Sequence, residues 1–218
     1  MVLGAVAALA AEGGTGGGLV AAGVMALVAA LCLRGLAQYP HDRLGLCNLV
    51  TLGRAAIMAV LAALLTRPDG LAGDPALAWA AVTLALAGLA LDGVDGWLAR
   101  RSGLVSAFGA RFDMEVDAAL AAVLCLLAIL SGKAGLWLLP LGLLRYAWVA
   151  AGFVLPWLTG PLPDRFSRKA VCVLQIAALI ALLAPVVTPP LSTLIAAGAT
   201  GALVWSFAVD ALWRWRQG

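Results

Sequence analysis

Charge is scarce in this sequence: only 11% of its 218 residues are Asp, Glu, Lys or Arg. A soluble domain carries about twice that share, so a water-exposed globular protein is excluded. Cysteine is sparse as well. Cys32, Cys47, Cys125 and Cys172 form no Cys-x-x-Cys pair, which argues against a disulfide framework or a zinc site and for small apolar fillers. No basic residue precedes Arg34, so the apolar opening "MVLGAVAALAAEGG" lacks the positive region of a cleaved signal peptide. Low-complexity tracts, internal repeats and a soluble domain are absent from the pattern.

What is present is apolar. Hydrophobic residues make up 64% of the chain and the mean hydropathy is +1.04. A bilayer core takes about 20 mainly apolar residues per helix. Seven segments are long enough: 17–37, 48–66, 75–99, 107–131, 133–156, 167–185 and 189–213. Clusters such as "RPDGLAGD", "LTGPLPD" and "PVVTPP" break them. The expected fold is therefore an all-α polytopic membrane protein. With the N-terminus outside, twelve of the fourteen Lys and Arg fall at or near the cytoplasmic face, leaving only Arg67 and Lys133 outside. Trp97, Trp157, Trp213 and Trp215 then mark the inner interface, and Trp79 and Trp137 the outer one. "QYPHDRLGLC" is expected to lie along the inner surface as a connector. His41, within it, is expected to be interfacial rather than catalytic.

Against this background, "DGVDGWLARRSGLVSAFGARFDMEVD" (92–117) gathers five of the eleven acidic residues. Asp92 and Asp95 are three apart, and Asp113 and Asp117 four apart, so each pair shares one face of its helix. A short turn joins the two helices, which makes them antiparallel neighbours and brings four carboxylates to one depth. An Asp at a helix centre costs about 2.5–3.5 kcal/mol on insertion scales. Arg100 and Arg111 offset part of the charge, and two divalent cations balance all four carboxylates. Oxygen-only ligands suit Mg²⁺, Mn²⁺ or Ca²⁺, and paired ions of this kind stabilise attacking and leaving oxygens in displacement at phosphorus. Gly93, Gly96, Ala99 and Gly109 allow backbone or ligand to come close. Arg100 adds a guanidinium suited to phosphate. Together these point to a nucleotide or phosphoester substrate. Structural salt bridges, or an ion or proton pathway, are the competing readings. Glu115, two residues from Asp113, projects to the other side of the helix, towards another crevice or a partner helix.

These residues resemble the signature of the CDP-alcohol phosphotransferase (CDP-alcohol phosphatidyltransferase) family, Asp-x2-Asp-Gly-x2-Ala-Arg-x8-Gly-x3-Asp-x3-Asp. Here it is Asp92, Asp95, Gly96, Ala99, Arg100, Gly109, Asp113 and Asp117, with every spacing kept. "NLVTLGR", with Asn48, Thr51 and Arg54, is similar to the Asn-x2-Thr-x2-Arg that often opens the family's first core helix. The resemblance covers residues 43–213 as a six-helix membrane domain. It leaves 1–42 as a segment with an extra N-terminal transmembrane helix, and 214–218 as a cytoplasmic tail.

The resemblance implies transfer of a phosphatidyl or phospho-alcohol group from a CDP-linked donor, expected to be CDP-diacylglycerol, to an acceptor hydroxyl, with release of CMP. The place of such a reaction is phospholipid biosynthesis. Asp92, Asp95, Asp113 and Asp117 would hold two divalent cations, Mg²⁺ or Mn²⁺. Asp117 would be the general base beside Asp113. Thr51, Asp92, Gly96, Ala99 and Arg100 would bind the nucleotide, although an intrahelical hydrogen bond is an equal alternative for Thr51. The implied partners are a CDP-linked lipid or alcohol, a small alcohol or polyol acceptor, membrane lipid and a second copy of the chain, with no nucleic acid. The implied location is the bacterial inner membrane, with the site facing the cytoplasm.

Two features depart from the family pattern: the apolar span 17–37, and Ala118 in the position where relatives using phosphorylated acceptors often carry Lys or Arg. Arg111, Arg145, Arg168 and Lys169 are candidates for an acceptor pocket, or else they set topology or touch anionic headgroups. Gln175 is placed to bond a polyol, Arg111 to pair with Glu115 at i+4, and Asp210 to find an arginine of the inner layer. Arg165, Arg214 and Arg216 are expected to set topology. A divalent-cation transporter is the alternative from another class. Its expected paired, broken helices are not evident here.

Overall fold

The computed structural model describes residues 14–36, 45–67, 69–102, 106–160, 162–163 and 165–217; for residues 35, 36, 95–97, 99, 100 and 102 it describes the backbone alone. Within these there are seven long helices and no strand. They are α1 (Gly14–Leu36), α2 (Leu46–Ala63), α3 (Pro75–Ser102), α4 (Ala107–Leu130), α5 (Leu139–Val154), α6 (Phe166–Leu183) and α7 (Leu191–Trp215). The fold is an all-α polytopic membrane protein. Most of the connector "QYPHDRLGLC", with His41 and Arg43, lies outside the described residues.

Six of the seven helices are long and apolar enough to cross a membrane. The exception is α4, whose first three turns carry Arg111, Asp113, Glu115 and Asp117. Its second half is core: Leu120, Leu124 and Leu127 are closed off from solvent and pack with Leu61, Leu84, Leu141 and Leu179. The apolar half of α4 thus anchors the helix in the core and fixes where its charged first half, with Asp113 and Asp117 partly buried, is placed. Helix α4 packs against α2, α5 and α6, and α2 lies against α1, α3 and α4. Helix α1 is peripheral, with Leu19, Leu27, Leu31 and Leu33 all at least half exposed. It touches the end of α2 at Gly17, where an added Cβ would sit 3.0 Å from the Ala63 carbonyl.

Local chemistry sets the helix ends. The Ser106 hydroxyl accepts from the Gly109 N–H at 3.0 Å and caps α4, and Asp74 accepts from the Leu77 N–H at 3.0 Å before α3. The expected span 133–156 begins later than its apolar run. Gly135 is extended, a short 3₁₀ turn covers Leu136–Leu138, and Pro140 stands in the first turn of α5. Lys133 is left outside the helix, where its Nζ donates to the carbonyls of Ala184 (3.0 Å) and Val187 (2.7 Å) beyond the end of α6. At the other end of the chain, α7 runs on to Trp215, past the expected limit of 213. Helices α4 and α5 approach closely at Gly142, where an added Cβ would fall 2.5 Å from Cys125 Cβ. Cys125 is a buried filler there, with its thiol towards the Leu138 carbonyl at 3.4 Å, and all four cysteines are free.

Candidate active site

The site is built where α3 ends and α4 begins, against the first turns of α2. Asn48, Thr51 and Arg54 recur every three residues along α2 and all three are buried. The Thr51 hydroxyl donates to the Cys47 carbonyl at 3.1 Å, the intrahelical bond open to a helical threonine. Asn48 faces α4 so closely that a Cβ on Gly109 would lie 3.0 Å from its Oδ1. Glycine at 109 is what lets α2 and α4 approach here. Gly93 has no such neighbour: a Cβ there would meet nothing within 4 Å.

Asp92 on α3 and Asp113 and Asp117 on α4 converge, and one carboxylate oxygen from each lies within 4.8 Å of the others. Asp95, Gly96, Ala99 and Arg100 continue the same helix as Asp92, but their side chains lie outside the described residues. Three anions held this close repel one another, and the structure places a cation among them. Arg54 Nη1 reaches Asp92 Oδ1 at 3.1 Å and also pairs with Asp113, while Nη2 pairs with Asp117. Arg54 is 1% exposed, whereas the three carboxylates are 33–39% exposed. The guanidinium therefore closes the inner wall of the site and the acids face the opening.

The donor set fits a hard divalent cation: three carboxylates from two helices, oxygen donors only, and an open side for further ligands such as water or phosphate. Of the residues expected at the metals, the structure brings together Asp92, Asp113 and Asp117. Arg54 was not among the expected site residues. Its spacing after Asn48 and Thr51 on the buried face of α2 was the available signal.

The acceptor candidates are distributed differently. Glu115, on the opposite side of α4 from Asp113, pairs with Arg145 of α5 rather than with Arg111. Arg168 donates to the Pro163 carbonyl at 2.9 Å and lies 3.5 Å from Asp210, which also pairs with Arg165 at 2.8 Å. Asp210 is only 4% exposed, and both its partners are arginines at the start of α6. Arg165 is thus more than a topology signal. So is Arg214, which donates to the Trp157 and Thr159 carbonyls while Trp157 packs edge-on against Trp215. The Gln175 amide donates to the Leu141 carbonyl, tying α6 to α5 instead of offering itself to a polyol. Arg111 is exposed on α4, and Lys169 lies in the first turn of α6.

Comparison with known proteins agrees with the motif. The family model for CDP-alcohol phosphatidyltransferase matches residues 44–211. No curated protein and no solved structure matches the chain.

Proposed function

We propose, from the premise that the chain belongs to the CDP-alcohol phosphatidyltransferase family, that it moves a phosphatidyl group from CDP-diacylglycerol to the hydroxyl of a small alcohol or polyol and releases CMP. The family makes the chain a transferase of phosphate-containing groups. The observation that carries the finer reading is the convergence of Asp92, Asp113 and Asp117 beside Arg54 within a bundle of membrane-spanning helices.

In this reading Asp92, Asp113 and Asp117, with Asp95 from the same face of α3, hold two divalent cations, Mg²⁺ or Mn²⁺. When bound, the ions offset the charge of the pyrophosphate and of the departing CMP. The chain's own residues do the rest. Asp117 takes the proton of the acceptor hydroxyl as that oxygen bonds to the phosphorus of the phosphatidyl group and the bond from phosphorus to the CMP oxygen breaks. Helices α3 and α4 fix the carboxylates relative to one another, so attack occurs from a set geometry rather than by random encounter. Thr51, Gly96, Ala99 and Arg100 border the nucleotide, and Arg111, Arg145, Arg168 and Lys169 the acceptor side. Residues 43–213 form the transferase domain, with 1–42 as an accessory segment. The site opens to the cytoplasm at a bacterial inner membrane, in a homodimer.

The test is to supply purified protein with CDP-diacylglycerol, Mn²⁺ or Mg²⁺ and a panel of alcohols, and to follow CMP. Metal-dependent CMP release that rises with one acceptor supports the reading. CMP release that is absent with every acceptor and both metals rejects it.

A further inference from the structure

We infer that Arg54 is a resident cation of the carboxylate cluster, a positioning residue that holds Asp92, Asp113 and Asp117 together before any metal arrives. The inference rests on the reading of these acids as the metal site. Like charges within 4.8 Å of one another spread apart unless a counter-charge lies between them. Arg54 supplies that charge from the third turn of α2, through one nitrogen to Asp92 and Asp113 and the other to Asp117. A guanidinium stays charged at any working pH, and its two terminal nitrogens span acids from two helices; the single nitrogen of a lysine does not. Arg54 is buried behind the acids, while each acid keeps about a third of its side chain open. Metal and donor thus have an approach that does not pass through the arginine. Arg54 accordingly joins α2 to α3 and α4 through charge, and bound metal joins the same acids from the open side.

The two cations are therefore partly interchangeable in stabilising the apposed acids, and this separates a counter-cation from an arginine that merely fills space. Full-length protein in detergent is unfolded thermally, in EDTA and in Mn²⁺, as wild type, Arg54→Met and Arg54→Lys. Arg54→Met is expected to melt well below wild type in EDTA, and Mn²⁺ to raise its midpoint at least twice as far as it raises that of wild type. Arg54→Lys is expected to fall between them. A midpoint for Arg54→Met equal to wild type in EDTA overturns the inference, as does, where Mn²⁺ raises the wild-type midpoint, a deficit of the same size with and without it. If Arg54→Met yields no folded protein, the double variant Arg54→Met/Asp117→Asn decides. Recovery of folded protein supports the counter-charge, and no recovery overturns it. If Mn²⁺ leaves the wild-type midpoint unmoved, the metal reading of the site falls. The single and double variants compared in EDTA then judge Arg54 alone.

Discussion

Gly109 of α4 and Asn48 of α2 are neighbours across the bundle, 61 positions apart in sequence, in a contact that one added carbon would disturb. That carbon would lie 3.0 Å from Asn48 Oδ1 and 3.2 Å from Ser106 Oγ, the oxygen that caps α4. Alanine gains about 0.5–1 kcal/mol over glycine inside a helix, while overpacking costs roughly 1–3 kcal/mol. The two nearly offset each other in stability. Their effect on position does not cancel, because a shift of α4 against α2 moves Asp113 and Asp117 relative to Arg54. Gly109→Ala is expected to melt within a few degrees of wild type yet lose about tenfold or more in CMP release, since small misplacements near a reacting centre cost up to about a hundredfold. Unchanged turnover would show that the α2–α4 spacing is not part of the catalytic geometry.

Asp113→Asn and Asp117→Asn each replace an acid by a neutral amide of the same shape. Arg54 keeps a hydrogen-bond acceptor, so both proteins are expected to fold and insert. What is lost is a ligand charge at both positions, and at Asp117 the proton acceptor as well. Turnover is expected to drop by about 10²–10⁴-fold, the range for a general base. Excess Mn²⁺ is expected to restore part of the loss at Asp113 and none at Asp117. Turnover near wild type in either variant would remove the mechanism, and equal rescue of both would remove the division of roles.

Asp210 gives a prediction of the opposite kind. It is buried on α7 and faces both Arg165 and Arg168. Removing one partner of a buried ion pair costs about 3–5 kcal/mol, less here because the two arginines are roughly a quarter exposed and solvent screens them. Asp210→Asn is expected to lower the thermal midpoint by about 4–8 °C, taking roughly 2 kcal/mol at 2–4 °C per kcal/mol for a chain of this length, with little change in metal dependence. A variant as stable as wild type would mean that the start of α6 is held to α7 by packing alone.

The sequence carried the architecture because membrane spans are long and the bilayer permits few alternatives. Even α4, whose charged first half keeps it from counting as a span by hydropathy, was legible as the mainly apolar segment 107–131. The acid cluster was legible for the same reason: periodicity reports which residues share a face. It does not report what lies opposite that face. The spacing of Arg54 after Asn48 and Thr51 shows that it shares their face of α2, but not which acids it meets there. Its partners Asp113 and Asp117 stand 59 and 63 positions away. Glu115 shows the same limit. The i+4 rule offers Arg111, but the structure pairs it with Arg145, 30 positions along. Gln175 was open to a polyol until α5 placed the Leu141 carbonyl against it.

That pairing of Glu115 sets the last expectation. Glu115 and Arg145 form a pair with the acid 51% and the arginine 34% exposed, on the side of α4 away from Asp113. Pairs this open contribute about 0–1 kcal/mol, so Glu115→Gln is expected to leave the fold intact and metal-dependent CMP release within about threefold of wild type at saturating acceptor. The variant also frees the Arg145 guanidinium. If Arg145 borders the acceptor, its release from Glu115 should change the acceptor KM while kcat holds, which a titration of the acceptor at fixed CDP-diacylglycerol would read. A fall in kcat as deep as that of Asp113→Asn would place Glu115 with the metal ligands, and the division of α4 into a catalytic face and a pairing face would be wrong.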